Sequence, residues 1–354
     1  MKVLLVYSNK NQNIDNPYVF TLKKELENIG CKVDWGLDLF WNNFEEYNII
    51  HFQWPEAIFE WQRISEKELS MLINQINLIK ERKITIIYTR HNIKPHYCNN
   101  PFTIKLYEII EENCDVVFHM GYFSKKQFEE NVRNDKVLHY IIPHHTYDAL
   151  YETNISQIDS RKVLKIPQNK FVFLCFGSFR NNEERKMVLD GFKKLKLPNK
   201  YLFAPRFYQF KLSVNHPRSL IKGIKERCNV QHYTANSRLK AGFIGNEALP
   251  FYFSAADIIF IQRCQILNSG NIPLAFLFGK VVIGPDIGNV GEILRNTGNP
   301  YFNPKNNSSV VSAMSEGIEK AKAHWGAQNK EYATKNLNSH KIAIEIKSIY
   351  ESVL

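Results

Sequence analysis

The sequence predicts an α/β chain built from two open parallel sheets, and three features predict it. Short, wholly apolar runs alternate with longer stretches of helical periodicity along most of the 354 residues. Those runs lack polar alternation, as strands covered on both faces do in a parallel sheet flanked by helices. The alternation stops near residue 150, crosses a polar stretch and starts again.

In order, the first strand is Val3 to Tyr7, followed by a polar loop and a helical pattern from Pro17 to Ile29 that stops at Gly30. The apolar runs "YNIIHFQ", "KITIIYT", "DVVFHMG" and "VLHYIIP" then read as strands separated by helices. The polar stretch "YETNISQIDSRKVLKIPQNK", with a turn at Pro167, reads as a linker. Beyond it come a strand "FVFLCFG", a helix over 183–195, a strand "KYLFAP", a strand or turn "NVQHYTA" and a strand "DIIFIQ". In "NSGNIPLAFLFGKVVIGP", Ile272 to Phe278 reads as a short buried helix, Gly279-Lys280 as its stop, and Val281-Val282-Ile283 as the next strand. A last helix lies near 331–354. The expected division is an N-terminal Rossmann-like domain over 1–160, a second over 161–330, and a terminal helix over 331–354 that packs back toward the first.

Composition narrows the function. Hydrophobic residues make up 44% and aromatic residues 13%, enough for two folded domains. The six cysteines form no C-x-x-C pair, which argues against a zinc ribbon or a disulfide framework and fits a reducing compartment. "MKVLLVYSNKN" has a short apolar core without a small-residue cleavage site, and no apolar run approaches about 18 residues. A cytoplasmic chain is expected. The net charge of +11 is uneven: residues 1–165 carry −2 and residues 166–354 carry +13. A field of that sign attracts phosphates, whether of a nucleotide, a nucleic acid or an anionic membrane. No RNA-binding aromatic signature, helix-turn-helix pattern or dense basic run supports nucleic acid as a partner. No G-x-G-x-x-G follows the first strand and no Walker lysine motif occurs, against NAD and P-loop chemistry; no H-x-H or D-x-D supplies metal-ligand spacing. Neither a cofactor nor a metal is expected.

Open α/β sheets bind ligands at the carboxyl ends of their strands. In "FLCFGSFRNNEERK", Gly177 lets backbone approach a ligand and Arg180 can reach phosphate oxygens. Arg185 and Lys186 follow on the helix, where pairing with Glu183 and Glu184 is an equal alternative. Arg206 and Arg263 recur at strand ends, and Asn268, Ser269 and Gly270 precede the buried helix, whose first N–H groups favour an anion or else take a side-chain cap. These features together fit a sugar-nucleotide diphosphate. In the first half, "YTRHNIKPH" ends a strand at His91 and Asn92, and "IIHFQWPE" ends one at His51, Gln53 and Trp54. A histidine there can donate to a substrate hydroxyl, and an aromatic ring beside hydrogen-bonding groups suits a sugar, although each residue also fits a core role. His96, His144 and His145 are weaker candidates.

Several segments together resemble the GT-B glycosyltransferases, especially the family-four-like retaining group of bacterial polysaccharide-assembly enzymes. "RKVLKIPQNKFVFLCFGSFR" resembles the opening of that group's second domain, with its strand ending in G-x-x-R. "FIGNEALPFYFSAADIIFIQR" resembles its A-A-D strand, and "NSGNIPLAFLFGKVVIGPDIGNVGEIL" resembles the donor segment ending in Glu292. "HFQWPE" and "TRHNIKPH" resemble H-x-H-W-P and H-N-x-x-P-H stretches. The resemblance covers most of the chain and is strongest over 160–304. It implies a GT-B architecture with two Rossmann-like domains facing a crevice. His91 then approaches the donor sugar as the catalytic residue. Arg180 holds the diphosphate, aided by Arg185, Lys186, Arg206 and Arg263, while Asn268, Ser269, Gly270, Asn271 and Glu292 line the donor; His51, Trp54 and Asn92 face the acceptor. Two departures stand out. The usual pair of glutamates, eight positions apart, is replaced by Ile266 and Leu274, and the lysine three residues after the G-x-x-R arginine is Glu183. The expected activity is retaining, metal-independent transfer of a sugar from a UDP- or GDP-sugar to a glycan or lipid-linked acceptor in polysaccharide biosynthesis, with peripheral contact at the inner face of the membrane as an option. The alternatives are an inactive nucleotide-sugar- or glycan-binding relative, suggested by the missing glutamates, inverting transfer, and a nucleic-acid-binding protein.

Overall fold

Every predicted apolar run within the described residues forms a strand of a parallel sheet in the computed structural model, which describes residues 1–8, 17–95, 100–132, 134–208, 237–241 and 244–354. The "NVQHYTA" segment and His96 lie outside them. The chain divides into two units: Met1–Leu150 with Asn336–Leu354, and Tyr151–Lys335.

The first unit holds β1 (Lys2–Val6), β2 (Lys32–Trp35), β3 (Ile49–Phe52), β4 (Thr85–Arg90), β5 (Val116–His119) and β6 (Leu138–Ile141) in the order β2-β1-β3-β4-β5-β6. Period-two geometry sends neighbouring residues to opposite faces. Leu4, Val6, Ile50, Phe52, Ile86 and Tyr88 pack with the helices Glu66–Glu81 and Pro101–Asn113. Val3, Leu5, Ile49, Ile87 and Phe118 pack with the helix Tyr18–Asn28 and the last helix, Ser339–Ser352, through Ile342, Ile346 and Tyr350. Both faces are therefore covered, which is why these strands read as unbroken apolar runs. The strand β2 escapes that criterion because "KVDW" lies at the sheet edge with only Val33 buried. Its sequence carries no buried run to find.

Arg90 and His119 are among the polar groups of this unit that are buried with partners. Arg90, 1% exposed, donates through Nε to Glu111 Oε1 at 2.7 Å and through Nη1 to the Ser124 carbonyl at 3.0 Å. His119, at the end of β5, meets Ser124 Oγ at 3.0 Å and His139 Nδ1 at 2.9 Å. Burial holds the rings of His51 and His144 neutral, their pKa pushed down to about 3, and burial with the nearby Arg90 cation pushes His119 down to about 2.

The second unit holds β7 (Phe171–Leu174), β8 (Lys200–Tyr208), β9 (Ser237–Ala241), β10 (Ile258–Phe260), β11 (Val281–Pro285) and β12 (Tyr301–Phe302), ordered β12-β11-β10-β7-β8-β9. Counted within the unit this is the Rossmann order 3-2-1-4-5-6, whose direction reverses between β7 and β10. Helices Asn182–Lys194 and Asn307–Lys322 supply Met187, Val188, Val310, Met314 and Ile318 to its core. The stretch read as a linker is not one. It contains the helix Gln157–Leu164, capped by Ser156 and anchored by Arg161, which donates to the Ala255 and Gln168 carbonyls and to Asp257. Ser160 and Arg161 are buried in it, while most of its other polar residues face solvent. The terminal helical region is likewise divided, into Gly326–Tyr332 in the second unit and Ser339–Ser352 in the first. Among the described residues, no helix is long and apolar enough to cross a membrane.

Two expectations follow from this packing. A Cβ on Gly326 would lie 1.9 Å from the Gly279 carbonyl oxygen, a backbone atom that cannot rotate aside. Gly326→Ala should cost on the order of 3 kcal/mol, read as a lower denaturation midpoint, whereas an unchanged midpoint would show that the two segments separate freely. The second concerns pH. The unfolded chain protonates His51, His119 and His144 near the ordinary value of 6.5, well before the folded chain does. Stability therefore falls as pH drops below about 6.5 and continues to fall toward about 3, by up to about 1.4 kcal/mol per pH unit for each ring. Urea unfolding at about pH 7.5 and about pH 5.5 should show the lower midpoint at the lower pH, and the reverse order would mean that these rings are not held neutral.

Candidate functional site

The reversal of strand order in the second unit gathers the loops after β7 and β10. Past β7 the backbone turns at Gly177 with φ +93°, a left-handed conformation that favours glycine. A Cβ there would lie 3.6 Å from Asn271 Nδ2 and 3.9 Å from both the Arg263 guanidinium and the Gln262 amide. Gln262, just past β10, donates to the carbonyls of Phe176 and Gly177 at 3.2 and 3.1 Å, and Asn271 Nδ2 donates to the Phe176 carbonyl at 2.9 Å. The β7 loop, the β10 loop and the start of the helix Asn271–Leu277 are thereby tied together.

One carboxylate organises the arginines. Glu184, 1% exposed in the first turn of the helix Asn182–Lys194, accepts from the Arg180 backbone N–H at 2.8 Å and from Arg263 Nη1 at 2.9 Å. The Arg180 guanidinium reaches the Gln265 carbonyl at 3.4 Å, so it lies over the turn leading to Asn268. Asn268 Oδ1 in turn accepts from Asn289 Nδ2 at 2.7 Å. Gly288, at φ +60°, lies close against the same turn, since a Cβ on it would come within 2.6 Å of the Ile266 carbonyl oxygen. The Arg263 guanidinium pairs with Glu184, and the Arg180 guanidinium, which lies on the Gln265 carbonyl rather than on that carboxylate, stands beside backbone that a ligand can approach, the chemistry that binds phosphate oxygens.

Not every predicted cation joins this cluster. Arg185 donates to the Phe207 carbonyl at 3.0 Å and to Asn182 Oδ1 at 2.9 Å, and stacks over the Phe207 and Tyr208 rings. Lys186 is exposed on the same helix. Arg206 places its carbonyl 3.4 Å from the Phe179 N–H, which sets the end of β8 beside the loop, and its side chain is partly buried. Ser269 and Gly270 bond to Ile272 and Leu274 through backbone groups, and among the described residues no side chain caps that helix. Glu292 is partly buried in the helix Gly288–Asn296, close enough for its charge to contribute to the raised pKa of Tyr332. Sequence reading missed the role of Glu184, which it weighed only as a partner of Arg185 and Lys186, and it missed Gln262. The signal for Gln262 was its place directly after a buried strand, in "FIQR".

In the first unit the ends of β3 and β4 gather His51, Gln53, Trp54, His91 and Asn92, all buried but the half-buried Trp54. The Trp54 and His91 rings stack at 3.8 Å and 14°, and Tyr18 from the helix Tyr18–Asn28 meets His91 edge-on at 4.8 Å and stacks on His145 at 4.3 Å. His144 also packs edge-on to Tyr18, at 4.9 Å. The Gln53 amide spans His51 Nε2, at 3.1 Å, and His91 Nε2, at 3.0 Å. Asn92 lies by the Tyr107 hydroxyl, and its amide nitrogen makes no hydrogen bond of ordinary geometry among the described residues, an unsatisfied buried donor of the kind that collects at functional sites. Gln53 is the first residue after β3, in "HFQW", and Gln262 the second after β10. Among the described residues, no group of three or more His, Cys, Asp or Glu side chains is arranged to hold a metal ion.

No protein-family model matches the sequence, and no curated protein matches it. Solved structures do match. Sucrose-phosphate synthase from Thermosynechococcus elongatus aligns at 15% identity over 100% of this chain and 99% of its own, with a TM-score of 0.74. Alr3699/HepE from Anabaena, crystallised with UDP-glucose, aligns at 14% identity over 99% of this chain and 100% of its own, with a TM-score of 0.72. An α,α-trehalose-phosphate synthase (UDP-forming) from Burkholderia vietnamiensis aligns at 10% identity over 99% of each chain, with a TM-score of 0.67. At such identities the likeness is one of fold, and two six-stranded parallel sheets in this arrangement are the GT-B fold of those glycosyltransferases.

Proposed function

We propose that this protein is a glycosyltransferase that moves a sugar from a UDP- or GDP-sugar to a glycan or lipid-linked acceptor in polysaccharide biosynthesis, with retention of configuration and without a metal. The observation that carries the proposal is the joining of Arg180 and Arg263 through Glu184 beside Gly177 and Asn271 at the point where strand order reverses. The likeness in fold to a protein crystallised with UDP-glucose and to UDP-forming synthases supports it. As the glycosidic bond breaks, charge develops on the departing nucleoside diphosphate. Fixed guanidinium and amide donors that bind this charge more tightly than the intact donor lower the barrier. The departing phosphate can itself take the acceptor proton, so His91 is assigned to holding the sugar rather than to general-base catalysis. His51, Trp54 and Asn92 are assigned to the acceptor side. The chain would act in the cytoplasm, with peripheral contact to the membrane where the acceptor is lipid-linked.

Ile266 and Leu274 favour one rival reading. They put apolar groups where the resembling enzymes carry glutamates, and Leu274 is buried, so neither position can grip sugar or ribose hydroxyls. A nucleotide-sugar-binding relative without turnover would look the same. Calorimetric titration with UDP and GDP, paired with a nucleotide-sugar hydrolysis assay, separates the two: turnover of a donor removes the rival, and binding without turnover of any donor tested supports it.

Arg263→Ala and Arg180→Ala should each weaken binding of the cognate nucleotide by about 1.5 to 3 kcal/mol, the range for a charge-assisted hydrogen bond. Unchanged affinity in both variants would place the diphosphate elsewhere.

A further inference from the structure

A buried polar chain in the first unit ends on His91, and its hydrogen-bond logic can be followed atom by atom. It begins on the last helix. The Tyr350 hydroxyl, fully buried, has a single hydrogen-bond partner among the described residues, His51 Nδ1 at 2.6 Å. The opposite nitrogen of that ring, Nε2, lies 2.7 Å from Thr89 Oγ1. A neutral imidazole has one donor nitrogen and one acceptor nitrogen, so the two hydroxyls must play opposite parts. A phenol is the more acidic hydroxyl and an alcohol oxygen the better acceptor. Tyr350 therefore donates to Nδ1, and His51 Nε2–H points to Thr89.

Gln53 carries this choice onward. One orientation of its amide sets Nε2 3.1 Å from His51 Nε2 and Oε1 3.0 Å from His91 Nε2, and a half-turn of the planar group exchanges the ends. With the amide nitrogen toward His51, either two N–H groups face each other, or Thr89 and Gln53 compete for one lone pair while the Tyr350 proton is left unpaired in the core. With the oxygen toward His51, the Nε2–H donates to Thr89 and Gln53 together, an ordinary three-centre bond. The amide nitrogen then faces His91 Nε2, which must accept. The stack on Trp54 and the edge contact with Tyr18 fix the plane of the His91 ring.

We propose that Tyr350, through His51 and Gln53, holds His91 in the tautomer with its proton on Nδ1, which makes Gln53 and Tyr350 positioning residues for the His91 ring. The role of that ring toward a sugar rests on the glycosyltransferase reading, whereas the tautomer does not.

Long-range proton–nitrogen spectra of the full-length chain carrying isotope-labelled histidine, recorded without substrate and assigned with His51→Gln and His91→Gln, report each tautomer directly. The expected result is Nε2–H for His51 and Nδ1–H for His91. Gln53→Glu places an acceptor-only carboxylate between the rings and should invert His91 to Nε2–H. Tyr350→Phe removes the defining donor and should lower the Nδ1–H to Nε2–H ratio of His91 on the order of fivefold, the effect of one neutral hydrogen bond. An Nε2–H signature for His91 in the unsubstituted chain overturns the proposal, as does a His91 signal indifferent to Gln53→Glu. Absence of sugar transfer alongside the expected spectra would count against the enzymatic reading alone.

Discussion

Parallel pairing is the constraint on which each unit depends. Every strand pairing among the described residues is parallel, so the carboxyl ends of all strands in a sheet leave by the same edge. Residues far apart in the chain, such as Gly177 and Arg263, or His51 and His91, come together there without any need for proximity in sequence. Covering both faces with helices drives the strands into apolar cores and leaves the strand-end loops to carry polar chemistry. The reversal between β7 and β10 opens the one place in the second sheet where two such loops diverge to opposite sides, and the clustered arginines stand at it.

Within that place the charge is arranged rather than merely abundant. The second half of the chain carries +13, yet its cluster depends on an acid, Glu184, which fixes the Arg180 backbone and the Arg263 side chain in one stroke. A buried carboxylate with two such partners costs less than an isolated one, and it gives the Arg263 guanidinium a defined orientation that a solvated lysine lacks. Arg185, by contrast, is committed to the end of β8, where it braces the fold.

How far the sequence can be read follows from the same physics. Buried central strands were legible because both faces exclude polar residues; the short edge strands β2 and β12 were not, whereas the edge strand β6, none of whose residues is fully buried, was legible from its apolar run "VLHYIIP". The helix Gln157–Leu164 was read as linker because sequence does not distinguish an arginine in water from Arg161 bonded to buried carbonyls. Residues at strand ends, His51, His91, Arg180 and Arg263 among them, could be singled out because a polar residue directly after an apolar run marks a sheet edge. Partners from distant elements could not: that Tyr350 bonds to His51, or that Glu184 bonds to Arg263, is a fact of folding between segments separated by 299 and 79 residues.

The placement of the final helix also has a kinetic side. Ile342, Ala343, Ile346 and Tyr350 belong to the core beneath β1 and β3, yet they are translated after the whole of the second unit. The first unit, emerging from the ribosome, thus exposes an open apolar trough until residues 339–352 have followed, while the second unit can already close on itself. Chaperone protection during translation would be needed mainly by the first unit.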